Sequence, residues 1–148
     1  MKKYMINEEG RVVALRDFGD VKVGDVGGFV WSEKNLSHKG NCWVYENARV
    51  LGNAWVCGNA WVLGNARVYG EARVCGNARV YGEAQVYENA RVYGEARVFG
   101  NARVLGNAWV FGNARVCGNA WVCGVMRSDG FSEGGGLCMN IKKLSKEI

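Results

Sequence analysis

The residue types able to do chemistry in this 148-residue chain fall into two groups: a lone histidine, His38, and a periodic set of arginines, tyrosines and tryptophans. A histidine is the usual general base. His38 lies in Leu36-Ser37-His38-Lys39-Gly40, where nothing nearby in sequence orients it, so it reads as a solvated residue. It is the only candidate acid or base of this kind, and no catalytic residue is expected. The six cysteines contain no Cys-x-x-Cys pair, so neither a zinc site nor a small disulfide framework is indicated. No metal and no cofactor is expected, and a reducing, cytoplasmic setting is the simplest account. Gly134-Gly135-Gly136 lacks the lysine and helix of a phosphate loop and reads as a flexible link.

The charges are unevenly typed. The formal net charge is +5, a mild excess, so nucleic acid is not the expected partner. Between Gly40 and Cys123 there are eight arginines and no lysine. Arginine without lysine favours stacking, bidentate pairing or ordered ion pairs over simple solubilisation. The N-terminal residues lack the apolar run of a signal peptide, and no stretch approaches a membrane span in length.

The element that must position these residues is a six-residue repeat. Residues 40–123 are fourteen consecutive units of Gly-Asn-Ala-Arg/Trp-Val-x, without insertion. The fifth position is always Val, and the third is Ala except at Cys42. The first is Gly except at Glu46 and Glu88, and the second is Asn except at Glu71, Glu83 and Glu95. Ala-x-Val-x alternates with period two, as in a short strand with Ala and Val on one side. Gly and Asn both tolerate positive φ and read as the turn. A unit this short cannot bury its own apolar side, so it must coil and stack Val on Val.

This array closely resembles the hexapeptide-repeat, left-handed parallel β-helix family, over the whole of residues 40–123. The resemblance implies an all-β, single-stranded left-handed parallel β-helix with three hexapeptides per coil, so that residues eighteen apart stack. The handedness comes from the resemblance alone, since general chirality rules favour right-handed crossovers. Fourteen units then make nearly five coils. Ala14–Val30 with Ser32–Ser37 is similar to the N-terminal cap of bacterial and prophage proteins of this type, many of which carry a transferase label. Three segments of one structural domain are expected: a cap over 1–39, the helix over 40–123 and a short C-terminal cap over 124–148. Within the first, Lys3–Ile6 and Arg11–Phe18 read as a hairpin and Phe29–Leu36 as an irregular first coil. Within the last, 124–136 breaks the repeat, 137–141 reads as a closing strand and 142–148 as a helical turn. Caps are required because an open β-helix end exposes its core and an unpaired edge.

The coil sorts the outward residues into columns. The fourth positions group as Trp43, Trp61, Arg79, Arg97, Arg115; as Arg49, Arg67, Gln85, Arg103, Trp121; and as Trp55, Arg73, Arg91, Trp109. The sixth positions supply Tyr69, Tyr81, Tyr87 and Tyr93, and bring Cys57 next to Cys75 as two free thiols, with an oxidative cross-link as the alternative. Stacked arginines repel unless something negative intervenes. Glu71, Glu83, Glu88 and Glu95 could do so internally, and an anionic ligand or acidic partner could do the rest. The candidate ligand or interface residues are therefore Arg67, Arg73, Arg79, Arg91, Arg97, Arg103, the four tyrosines, Trp55, Trp61 and Trp109. The expected function is a non-catalytic, self-associating β-helix, a dimer or trimer, presenting arginines and aromatics to a partner or an anionic ligand. Two alternatives stand beside it: a phage-type binder that sequesters a nucleotide signal, and an acyltransferase using acetyl-CoA. The second is implied by the family resemblance, and fold does not carry function.

Overall fold

Ala-x-Val alternation becomes strands only two residues long, because Gly or Glu at the next first position already turns the chain. A computed structural model describes residues 2–123 and the strand Val125–Met126. The cap comes first, with strands β1 (Tyr4–Ile6), β2 (Arg11–Ala14) and β3 (Val26–Val30), then a 3-10 turn at Glu33–Asn35. β1 pairs antiparallel with β2, which places Tyr4 opposite Ala14 and realises the expected hairpin. β3 is antiparallel to β2 and parallel to the first strand of its face in the coil, with Phe29 opposite Arg49.

Each of the fourteen units then contributes one strand, and the strands sort onto three faces. The first face holds β4 (Trp43–Val44), β7 (Trp61–Val62), β10 (Arg79–Val80), β13 (Arg97–Val98) and β16 (Arg115–Val116). The second holds β5 (Arg49–Val50), β8 (Arg67–Val68), β11 (Gln85–Val86), β14 (Arg103–Val104) and β17 (Trp121–Val122), preceded by the cap strands. The third holds β6 (Trp55–Val56), β9 (Arg73–Val74), β12 (Arg91–Val92), β15 (Trp109–Val110) and β18 (Val125–Met126). Pairing is parallel and in register eighteen residues apart, as in Arg79 opposite Arg97 and Val80 opposite Val98. The fold is a parallel β-solenoid of about five turns.

The core is a column of alanine and valine. Every third-position Ala is buried, and every fifth-position Val has no exposed surface. Burying each valine contributes about 1.5–3 kcal/mol. The backbone is spent on the same stacking: Arg67 N–H donates to Ala84 O at 2.9 Å, and Tyr69 N–H to Val86 O at 3.0 Å.

Three expectations need correction. The left-handed turn residue is the first position alone, Gly or the glutamates at Glu46 and Glu88, whose φ values are 56° and 59°; no asparagine joins them. Trp43 is not outward but 2% exposed, because the cap closes over it with Phe18 and Tyr4 packed edge-on. The sheet also continues past residue 123, since β18 pairs in parallel with β15, setting Val125 opposite Trp109. That register is sixteen residues, so the regular spacing ends there even though the stacking persists. The closing strand, helical turn and triple glycine expected further on lie outside the described residues.

The cap seats closely on the coil. A Cβ on Gly27 would collide with the Val44 carbonyl oxygen, so only glycine lets β3 lie this near. Arg11 fastens the joint, donating to Gly27 O at 3.0 Å, Glu46 O at 2.8 Å and Asn47 Oδ1 at 3.0 Å.

Candidate anion-binding faces

The fourth-position side chains project from the three sheets in the columns expected from the repeat. Arg79, Arg97 and Arg115 follow Trp61 on the first face. Arg49, Arg67, Gln85 and Arg103 run along the second, ending on Trp121. Arg73 and Arg91 lie between Trp55 and Trp109 on the third. The candidate arginines and tryptophans are thus divided. A triangular coil separates them onto three faces, and the tyrosines sit at the corners between the faces.

Arginine neighbours aromatic wherever a column meets one. Arg79 lies over Trp61 at 4.4 Å, Arg73 over Trp55 at 5.9 Å, Arg91 over Trp109 at 5.7 Å and Arg103 over Trp121 at 5.3 Å. Arg49 lies 5.1 Å over Phe29, so the cap supplies the aromatic at that end of the second face. These cation–π contacts orient the guanidinium planes without neutralising them.

The expected internal neutralisation is absent. Among the described residues the ion pairs are Lys2–Glu33, Lys22–Asp17 and His38–Glu33, all in the cap. Glu71 and Glu83 turn along the stack instead, accepting from Asn53 Nδ2 at 2.9 Å and Asn65 Nδ2 at 2.8 Å. Like charges one layer apart therefore face each other with no carboxylate ion-paired to them among the described residues, although Glu71, Glu83 and Glu95 line the same grooves.

The corners carry their own ladders. Tyr69 and Tyr87 stack with centroids 4.9 Å apart and planes 2° apart, as do Tyr81 and Phe99 at 4.9 Å and 4°. Tyr69 Oη donates to Gln85 Oε1 at 3.0 Å. Burial pushes the Tyr69 hydroxyl up, and neighbouring Tyr87 adds to this. Tyr93 shares a corner with Cys57 and Cys75, whose sulfurs are bonded to each other with Cα atoms 4.8 Å apart. The expected pair of free thiols is thereby replaced by a cross-link between layers, at a Cα spacing that suits one.

The second positions are what sequence reasoning missed. In the repeat they read as turn residues, yet they form one wall of a groove on each face, with the fourth positions as the other wall. The second-face groove encloses about 570 Å³ and is lined by four rungs, from Asn47/Arg49 through Asn65/Arg67 and Glu83/Gln85 to Asn101/Arg103. The first-face groove, about 260 Å³, includes Asn77/Arg79 and Glu95/Arg97; the third, about 370 Å³, includes Glu71/Arg73 and Asn89/Arg91. Interchange of Asn and Glu at a position that is otherwise uniform was the signal available in the sequence.

His38 is not solvated as expected. Its ring stacks on Tyr4 with centroids 4.2 Å apart, Nδ1 accepts from the Lys3 N–H at 3.2 Å, and Nε2 meets Glu33 Oε1 at 3.2 Å. Both ring nitrogens are occupied by the cap. Glu33 also binds Lys2, which holds its carboxyl below the ordinary range.

A family model described as the YdcK beta solenoid repeat matches residues 72–83, 96–112 and 108–124. Over those segments the chain is similar to that repeat, and the match agrees with the coil seen here: this is a β-solenoid repeat protein. No curated protein matches the chain. Among the described residues no helix is long and apolar enough to cross a membrane.

Proposed function

We propose that this β-solenoid is a non-catalytic binding protein whose arginine-lined faces hold an anionic ligand or acidic partner. The observation that carries the reading is the set of in-register arginines, Arg79 opposite Arg97 and Arg73 opposite Arg91, with no carboxylate paired to them among the described residues. Repulsion between them is relieved by an anion set in the groove, where guanidinium groups offer charge-assisted, bidentate hydrogen bonds. Engagement of both His38 nitrogens supports the non-catalytic part of the reading.

The test is a thermal-shift panel on the full chain with a nucleotide, polyphosphate, an acidic polysaccharide, polyglutamate and coenzyme A. Stabilisation by at least one polyanion is expected, weakened by salt and by Arg91→Glu with Arg97→Glu. A chain that responds to none of them in low salt would refute the reading. A response to coenzyme A that disappears in His38→Ala would favour acyl transfer instead.

Self-association is a second reading, supported by the cap. Met5, Val13 and Val26 form a cross-strand row, with Met5 46% and Val26 57% exposed, on a sheet whose outer edge is β1. A second copy docked there would cover this apolar row without setting arginine against arginine. Light scattering on Met5→Lys with Val26→Lys tests it, and an unchanged mass would refute it.

A further inference from the structure

We infer that the second-face groove binds an acidic oligosaccharide, a hydroxyl-rich chain bearing carboxylate or sulfate groups, lying along the solenoid axis. The inference rests on the anion-binding reading above and names the ligand class of one of its faces.

The groove is long and entirely polar. Its four rungs span about 14 Å at the layer spacing of a sheet, and no apolar side chain lines it. Between the rungs a nucleobase would meet guanidinium planes but no aromatic ring. The strands beneath have spent their backbone groups on each other, so an extended peptide cannot add to a sheet edge there.

The third rung breaks the charge. Arg49, Arg67 and Arg103 share the groove with Glu83 and Gln85, which take the place of Asn and Arg. Glu83 Oε2 accepts from Asn65, and Gln85 Oε1 accepts from the Tyr69 hydroxyl. Among the described residues Glu83 Oε1 and Gln85 Nε2 have no protein partner, leaving one charged acceptor and one donor in the same groove. A polymer charged at every unit, such as a phosphodiester strand, would set an anion against Glu83. A hydroxyl both donates and accepts, so it satisfies Glu83 and Gln85 together. The matching ligand carries anionic groups at the Arg67 and Arg103 rungs, two layers apart, with hydroxyls between them.

The test is calorimetric titration of the full chain with an acidic oligosaccharide in which uronate and neutral sugars alternate, such as a hyaluronan fragment, a neutral gluco-oligosaccharide of equal length, a single-stranded oligodeoxynucleotide and polyglutamate. The uronate is expected to bind and the neutral sugar not to. Arg67→Gln with Arg103→Gln should weaken the uronate at least tenfold. Glu83→Gln is the deciding variant. It removes a negative charge, so simple electrostatics predicts tighter binding, whereas loss of a charged hydroxyl acceptor predicts severalfold weaker binding. Tighter uronate binding by Glu83→Gln would overturn the inference. Binding of the oligonucleotide or polyglutamate in place of the uronate would overturn it while leaving the general anion-binding reading intact. Absence of binding by any polyanion would remove both.

Discussion

Lys3 Nζ donates to the Cys42 carbonyl at 2.7 Å and stands 3.4 Å from the Cys42 sulfur, inside the closed cap. Both residues have no exposed surface. Cys42 is the sole departure from alanine at the third position of the repeat, and it falls where the lysine enters.

This cluster sets an alkaline limit on stability. Burial raises the Cys42 thiol above its ordinary 9.0, and burial, helped by Glu33 and Cys42, raises the Tyr4 hydroxyl above 10.0. For both acids the unfolded chain loses its proton first, so the linked stability is complete below those ordinary values and is lost as pH rises through the folded ones. Lys3 acts oppositely: burial depresses its ammonium below 10.5, so its linked stability is present above that pH and lost as pH falls through the depressed value. Above pH 10.5 the Lys3 contribution is complete and only the acids still change, so the urea midpoint should fall from pH 10.5 to about pH 11.5. Tyr4→Phe should make the decline shallower; an unaltered decline would show that the limit lies elsewhere.

Glu88 occupies a left-handed turn at φ 59°. Glu88→Gly should stabilise the protein by about 1 kcal/mol by relieving that strain. Glu46→Gly should gain less, because Glu46 Oε1 accepts from the Gly64 N–H at 3.0 Å. The reverse change, Gly76→Ala, adds a Cβ at φ 71° only 3.0 Å from Gly94 N, and should cost about 2 kcal/mol. Chemical denaturation reads all three, and a destabilised Glu88→Gly would contradict the turn assignment.

Val80 is wholly buried between Val62 and Val98. Val80→Ala should cost about 2 kcal/mol. Val80→Asp should unfold the chain, since a buried unpaired carboxylate costs several kcal/mol against a total of about 5–15. Circular dichroism checks both, and a folded, soluble Val80→Asp at neutral pH would refute the stacked core.

His38→Ala should lower stability by about 1–2 kcal/mol by leaving the Lys3 N–H without its acceptor and Tyr4 without its stacking partner. Anion affinity should not change. Equal stability of the variant and the parent chain would return His38 to a solvated role.

The repeat was legible because its physics is local and periodic. Ala and Val alternate, glycine recurs, and a six-residue unit has one way to bury its apolar side. The columns of Arg79 with Arg97 and of Trp55 with Arg73 followed from counting eighteen residues, the coil length that the family resemblance implies. Trp43 shows where such counting stops. It holds the same place in its unit as Trp61, yet only Trp43 lies under Phe18 and Tyr4, and nothing in the repeat indicates that the cap folds over that layer.

The amino-acid sequence by itself determined stacked strands with alanine and valine inward, because periodicity and burial require it, while the residues that share each column followed from the three-unit coil that the family resemblance implies. Only the tertiary structure decided what lies across the columns. It set the second positions opposite the fourth as walls of three grooves, turned Glu83 toward Asn65 instead of an arginine, and engaged both nitrogens of His38. Those relations depend on side-chain direction around a corner and on the approach of a distant cap, and neither is written in the spacing of the repeat.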